Sequence, residues 1–338
     1  KIKIDGDKSL SIRFVLLASQ AVGKSKAFNI LRSKDLFSSL NILRKLGIKI
    51  LLKKNYCEII GQGINGFYYK KNLTLNAGNS GTIGRCILGS LIRSPYKIKL
   101  IGDSSLSKRD FYRVIKPLQD FGATFYPKEK KTLPIFIRGT NFVRPIKFQD
   151  DIGSAQIKTS LCLAALNSPG ETVIKSKRCR DHTEKLFKYL KIPIKIKKEK
   201  NYDLIKIKGQ KNFKSFNYHI PADPSSSAFF VMLTVLSKNS SILIKNCLIN
   251  ENRIGFYKIL RLMGAKIIFK NKKTYKGEKI ADIFCKSAKK LISVNLSKNF
   301  NNSTMIDEFN SLFILASFSQ GVSTFKGLEE LNKKESKR

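Results

Sequence analysis

Two kinds of helical pattern alternate along this chain. The first is apolar nearly all round and occurs five times: SIRFVLLASQAV, TIGRCILGSLI, AQIKTSLCLAAL, SSAFFVMLTVL and EFNSLFILASF. A helix with no polar face is predicted to be buried on every side. Each is led by residues rich in N-cap chemistry, in turn GDKS, GNSG, GSAQ, DPSS and MIDE. The second kind is amphipathic, with apolar residues three and four apart. It reads RSKDLFSSLNILRKLGIKI from Arg32, SKRDFYRVIKPLQDFGATF from Ser107, RCRDHTEKLFKYLKIPIKI from Arg178 and ENRIGFYKILRLMGAKIIF from Glu251. Asp35, Asp110, Asp181 and Ile254 hold equivalent positions, 75, 71 and 73 residues apart. Arg32, Asp35 and Asp110 are expected to cap or brace these outer helices.

Self-similarity at such a period marks a repeat architecture. The predicted unit is strand, buried helix, strand, outer helix, then strands, or βαβαββ. Several units would pool their buried helices in a shared interior with sheet outside. At 338 residues the chain exceeds one typical core, so two domains are expected. The fifth unit supplies a buried helix at 308–318 and then meets LEELNKKESKR, where its outer helix should begin. On this pattern the chain is expected to be C-terminally truncated.

Two phosphate-loop lookalikes fail in context. Gly61-Gln-Gly-Ile-Asn-Gly66 fits GxGxxG, but FYYKKNLTL after it reads as strand rather than helix, so a Gly-rich hairpin is predicted. Gly23-Lys24-Ser25 resembles the end of a P-loop, yet residue 18, which must be Gly, is Ala. More informative is LNAGNSGTIGR, Leu75 to Arg85. Gly78, Ser80, Gly81 and Thr82 precede a ten-residue apolar run, the order of a tight loop feeding a helix N-terminus. Unpaired N–H groups and the positive dipole end there can hold a phosphate or carboxylate, with Arg85 adding charge. An ordinary capped helix after a Gly-rich turn has the same sequence.

Composition narrows the partners. The formal charge is +41, which by itself suits nucleic acid or an anionic membrane. Lys outnumbers Arg by 51 to 14, however, and the lysines are scattered over strands and helix faces without a basic tail or a nucleic-acid module. A lysine-biased composition on an ordinary fold, with anionic substrates, is expected, and neither nucleic acid nor a membrane as partner. No apolar run reaches membrane-spanning length. Cys57, Cys86, Cys162, Cys179, Cys247 and Cys285 are far apart with no CxxC pair, as expected of free buried thiols in a reducing cytoplasm. Only His182 and His219 are present, so a His-based metal site or a Ser-His-Asp triad is not expected.

Eight motifs then occur in order: GDKSLSIR (6–13), GNSGTIGR (78–85), GDSSLSKRD (102–110), SAQIKTSLCLAAL (154–166), RDHTEKL (180–186), PADPSSSAFF (221–230), MIDEF (305–309) and KESKR (334–338). Together they closely resemble the 3-phosphoshikimate 1-carboxyvinyltransferase, or EPSP synthase, family, over the whole chain. The resemblance implies an α/β fold, α+β in strict terms: a two-domain inside-out barrel of repeated βαβαββ units, with the last one and a half units missing here. The implied domains are 8–220, and 1–7 with 221–338, the second incomplete at its C-terminus. The implied reaction transfers the enolpyruvyl group of phosphoenolpyruvate to the 5-hydroxyl of shikimate 3-phosphate, without metal or organic cofactor, in a cytoplasmic monomer.

Site residues follow from the same resemblance. Lys8, Ser9, Arg13, Ser154, Ala155, Gln156, Arg180, Asp307 and Lys334 match shikimate 3-phosphate contacts. Lys8, Asn79, Gly81, Arg109, Gln156 and Arg338 match the phosphoenolpyruvate site. Asp307 is the expected base, Glu335 the expected proton donor to carbon, and Lys8 the third catalytic group. Taken without the ordered motifs, Asp307 with Glu308 would read as a helix N-cap pair, and Lys334 with Glu335 as a solvated charge run. Asp5, Ile12, Ala222 and Lys337 depart from the usual family residues. Further phosphoenolpyruvate ligands of the family match nothing up to Arg338, so this fragment alone is expected to be inactive or nearly so. The competing readings are a UDP-N-acetylglucosamine enolpyruvyl transferase, which has the same donor but a Lys-Asn opening where Lys8-Ser9 stands, and a non-catalytic anion- or RNA-binding relic.

Overall fold

The computed structural model describes residues 2–297, 300–329 and 331. It divides into two compact units, one of Lys8–Ile220 and one of Lys1–Asp7 with Pro221–Arg338. The first unit holds α1 (Lys8–Gln20), β1 (Val22–Phe28), α2 (Lys34–Lys45), β2 (Lys49–Leu52) and β3 (Tyr56–Gln62). Then follow β4 (Thr74–Asn76), α3 (Gly81–Ser90), β5 (Ile98–Ile101), α4 (Tyr112–Asp120), β6 (Thr124–Tyr126) and β7 (Ile135–Arg138). The third repeat is β8 (Lys147–Asp150), α5 (Ala155–Ala165), β9 (Glu171–Lys177), α6 (His182–Tyr189), β10 (Ile194–Lys198) and β11 (Tyr202–Lys208). Last comes β12 (Asn217–His219).

The three sheets share one plan. Their orders are β12-β1-β3-β2, β4-β5-β7-β6 and β8-β9-β11-β10, in each of which the first pair is parallel and the others antiparallel. The first repeat begins directly on a helix, and β12, from the far end of the unit, takes its missing first-strand slot. The parallel β4–α3–β5 and β8–α5–β9 steps require a crossover helix, which the all-apolar α3 and α5 supply, and α1 leads into β1 in the same place although its parallel partner β12 comes from the far end of the unit. Leu10 to Gln20 and Ile157 to Ala165 are buried throughout. Close packing of α3 on α5 depends on Gly89, where an added Cβ would lie 1.9 Å from the Ser160 carbonyl oxygen.

The second unit contains α7 (Pro224–Leu236), β13 (Ser241–Leu248), α8 (Gly255–Leu262), β14 (Ile267–Tyr275), β15 (Glu278–Lys286), β16 (Asn295–Leu296), α9 (Phe309–Ser317) and β17 (Thr324–Phe325). Its main sheet runs β13-β15-β14. The N-terminal segment joins it through Ile2 beside Ile244 and Gly6 beside Ala222. Inside, Arg253 donates to Asp7 at 2.7 Å, to Asp223 at 3.2 Å and to Ser225 at 3.0 Å, with Arg253 3% and Asp7 0% exposed.

Three local expectations need correcting. In the second unit α7 and α9 are not buried all round: Phe229, Phe230, Leu233 and Ile314 are exposed. The FYYKKNLTL stretch forms a strand only at Thr74–Asn76. Its earlier part is held over the end of α2, with Tyr68 N–H donating to the Leu46 carbonyl, which takes it out of sheet pairing. The N-cap of α2 is Ser33, whose side chain accepts from Leu36 N–H, while Asp35 lies in the first turn. Arg32 braces the next turn by donating to the Lys53 carbonyl, and Asp110 accepts from Tyr112 N–H just ahead of α4.

Several of the scattered lysines lie over aromatic rings in or beside the sheets. Lys26 lies 3.8 Å from the Tyr56 ring centroid, Lys97 4.5 Å from that of Phe136 and Lys270 4.6 Å from that of Phe284. These rings are half-buried, and the lysine stems cover part of what remains accessible.

Candidate functional site

Helices α1, α3 and α5 run side by side in the same direction. Their starts meet where Arg13 donates to the Ala155 carbonyl and to Thr159, and where Gln156 bridges to Thr82 and Arg85. Toward their ends, Gln20 donates to Ser90 at 3.1 Å. Three helix N-termini therefore gather at one end of the unit, and their partial positive charges add. Ser80 caps α3 by accepting from Ile83 N–H, and Ser154 caps α5 by accepting from Ile157 N–H. Such an end is built to receive anions.

Cations crowd the same end. Gly81 opens α3, and a Cβ there would sit 3.1 Å from both Arg109 Nη1 and Arg85 Nη1. Arg85 donates to Gln156 Oε1 at 2.6 Å and to the Asp110 carbonyl at 2.8 Å. Burial, and then the nearby charges of Arg113 and Arg109, push the Arg85 guanidinium down to about 10, so it stays cationic at neutral pH while its neighbours repel it. An anion bound there relieves that repulsion. Arg109 donates to Asn79 Oδ1 and to Ser105, and Asn79 in turn donates to Asp103 at 2.6 Å. Asp103 also accepts from Leu106 N–H at 2.7 Å, and that backbone bond is the first cause of its lowered pKa. It anchors the loop that carries Arg109.

On the α1 and α5 side, Lys8 is exposed and Ser9 half-buried at the start of α1. Ser9 Oγ lies 3.5 Å from Arg180 Nη1. Arg13 is 3% exposed and donates to Thr183 at 2.9 Å, Thr159 at 2.8 Å, the Ser9 carbonyl at 3.1 Å and the Ala155 carbonyl at 3.4 Å. It ties α1, α5 and α6 together. The loop before α5 is set by Asp150, 3% exposed, whose carboxylate accepts from the N–H groups of Ile152, Gly153 and Ser154 and from Ser176 Oγ.

Of the residues expected from sequence, Lys8, Ser9, Arg13, Asn79, Gly81, Arg109, Ser154, Ala155, Gln156 and Arg180 all lie in the unit Lys8–Ile220, around these helix starts. Asp307 belongs to the other unit, half-buried in the turn before α9. Glu308 beside it stands at the N-cap position but makes no side-chain capping bond. Lys334, Glu335 and Arg338 lie outside the described residues. Sequence reasoning missed Asp103 and Asp150, placed Thr82 in the loop before α3 without its bond from Gln156, and credited Arg85 with charge but not with its bond to Gln156. The Asx patterns D-S-S-L and D-D-I-G-S were the legible signals for the two loop-holding carboxylates.

The six cysteines are free and buried. Among the described residues no helix is long and apolar enough to cross a membrane.

Repeats that deliver several helix N-termini to one cationic end make a site suited to a multiply anionic small molecule. The chain matches the EPSP synthase (3-phosphoshikimate 1-carboxyvinyltransferase) family over residues 1–338. It is 37% identical to a 3-phosphoshikimate 1-carboxyvinyltransferase of Bartonella tribocorum, over 100% of this chain and 76% of that one. It is also 37% identical to the same enzyme of Petrotoga mobilis, over 100% of this chain and 78% of that one. A solved EPSP synthase structure from Acinetobacter baumannii superimposes with a TM-score of 0.88 at 32% identity, covering 99% of this chain and 75% of that one. The chain therefore belongs to the EPSP synthase family, a family of transferases, and spans about three quarters of these relatives' length.

Proposed function

We propose that this protein transfers the enolpyruvyl group of phosphoenolpyruvate to the 5-hydroxyl of shikimate 3-phosphate, releasing phosphate, in the path to aromatic amino acids. The observation that carries the reading is the gathering of three helix N-termini with Lys8, Arg85, Arg109 and Arg180 in a chain of this family. Two phosphates and two carboxylates brought close together repel one another, and fixed cations with oriented N–H groups offset that repulsion without reorganising.

In this reading Ser9, Arg13, Ser154, Ala155, Gln156 and Arg180 hold shikimate 3-phosphate. Asn79, Gly81, Arg85 and Arg109 hold phosphoenolpyruvate, and Lys8 serves both. Asp307 takes the proton of the attacking hydroxyl, Glu335 protonates the methylene carbon, and Lys334 and Arg338 complete the substrate contacts. An acid and a base are needed because addition and elimination move protons at both centres. The same reading makes the protein a cytoplasmic monomer that needs no metal or organic cofactor.

The test is phosphate release from phosphoenolpyruvate by the gene's full product, with shikimate 3-phosphate or UDP-N-acetylglucosamine as acceptor. Release dependent on shikimate 3-phosphate is expected. Release driven by the nucleotide sugar, or by neither acceptor in a folded protein, would sink the proposal.

A further inference from the structure

Beneath the start of α5 lies a buried ion pair. Lys158 Nζ is 2.6 Å from Glu184 Oε1, with the two side chains 1% and 2% exposed. Lys158 is on α5 and Glu184 on α6. The next residue on α5 and the preceding one on α6 are Thr159 and Thr183, whose hydroxyls lie 2.7 Å apart. Both accept from Arg13, Thr159 from Nη2 and Thr183 from Nε. The remaining Arg13 bonds go to the first turns of α1 and α5. The pair thus sits one residue along both helices from the hydroxyls that aim Arg13.

Stability alone is a poor reason for such a pair. Taking two charges out of water costs about as much as their attraction returns, and well-packed apolar residues of similar volume do as well or better. What the pair supplies is direction. Two apolar side chains tolerate a slide of one helix along the other, whereas an ammonium and a carboxylate in direct contact do not. A slide of α6 against α5 would separate Thr159 from Thr183 and turn the guanidinium held between them.

We infer that Lys158 and Glu184 are positioning residues for the acceptor substrate: they fix the register of α5 against α6, so that Arg13 and the start of α5 are already arranged when the phosphorylated acceptor arrives. The inference rests on the proposed function, since it concerns the shikimate 3-phosphate side of the site. The phosphoenolpyruvate side, built on Gly81, Arg85 and Arg109, meets α5 through the bond from Arg85 to Gln156, so it depends on the pair less.

The experiment compares wild type with the volume-matched double variant K158M/E184M, which leaves no buried charge unpaired. Shikimate 3-phosphate affinity is measured by calorimetry, the KM of each substrate by turnover, and folding by melting temperature. The expected result is an unchanged or higher melting temperature, affinity for shikimate 3-phosphate weaker by about tenfold, as a misplacement well under 1 Å produces, and a smaller change in the KM for phosphoenolpyruvate. A folded double variant with wild-type affinity overturns the inference. If K158M/E184M does not fold, T183V is read the same way. It keeps the ion pair and removes the acceptor of Arg13 Nε, so an unchanged affinity would mean that Arg13 needs nothing from α6. Wild type that binds no shikimate 3-phosphate at all overturns the proposed function instead, which separates the two failures.

Discussion

Gly81→Ala is the most discriminating single change at the anion end. Gly81 is the first residue of α3 and its φ is not in the left-handed region, so alanine fits the backbone and improves helix propensity by up to about 1 kcal/mol. The new methyl, however, stands 3.1 Å from one guanidinium nitrogen of Arg109 and one of Arg85. Both side chains must yield by a few tenths of an ångström, and both are tethered, Arg109 by Asn79 and Ser105, Arg85 by Gln156 and Asp110. Weakening one charge-assisted hydrogen bond costs about 1.5 kcal/mol, which is about tenfold in affinity. The KM for phosphoenolpyruvate should therefore rise about tenfold, while the dissociation constant of shikimate 3-phosphate stays within about twofold, with an unchanged or higher melting temperature. Steady-state phosphate release at varied phosphoenolpyruvate, with calorimetry for the acceptor, measures both. An unchanged phosphoenolpyruvate KM, or equal losses on both substrates, would refute the assignment of this helix start to the donor.

Gly89→Ala tests the packing of α3 on α5. Its Cβ meets the Ser160 carbonyl at 1.9 Å, backbone against backbone, so a loss of about 3 kcal/mol is expected in urea unfolding. Arg253→Met strands the Asp7 and Asp223 carboxylates in the second unit. It should destabilise by about 3–5 kcal/mol, and adding Asp7→Asn and Asp223→Asn should recover part of that in the same assay. Burial pushes the thiols of Cys57, Cys247 and Cys285 up to about 12 and that of Cys86 to about 11. A thiol-reactive disulfide reagent at pH 8 should leave the native chain unlabelled and label all six cysteines in denaturant. The unfolded thiols ionise near 9 and the buried ones only later, so the unfolded state releases protons first as pH rises. Stability should hold below about pH 9 and fall between about 9 and 12, by about 1.4 kcal/mol per pH unit for each such thiol. A flat urea midpoint over that range would contradict this.

The fold was legible wherever one physical signal dominated. A helix such as SIRFVLLASQAV has nowhere to go but a core, and its repetition in units of 71 to 75 residues exposed the βαβαββ plan. The same signal misled at α7 and α9, because an all-apolar helix reports what its residues would bury, not whether this chain covers them. Caps were legible to within a few residues: Ser80 and Ser154 stand where their motifs place them, whereas Ser33, not Asp35, accepts from Leu36 N–H at the start of α2. Site residues carried by short motifs were legible as a set. Asp150 and Asp103 were not, since a carboxylate that holds backbone N–H groups looks like any loop aspartate until the turn around it is seen. Lys158 and Glu184 were hidden for a related reason. They sit in two separate motifs, and only the packing of α5 on α6 shows them to be a pair.

The borrowed strands of the two units have a genetic meaning. The chain leaves one unit at Asp7 and returns at Pro221, and those two residues are joined by a 2.8 Å bond from Asp7 N–H to the Pro221 carbonyl. Residues 8–220 are thus an insertion into the other unit's opening repeat, and the insertion carries its own substitute first strand, β12, at its tail. Cutting it out needs no new strand on either side. The host closes by a short turn between Asp7 and Pro221, and the excised piece keeps every pairing of its three sheets. Recombination at these two adjacent points could therefore exchange the whole anion-binding end for another, while leaving each half's hydrogen-bond ladder intact.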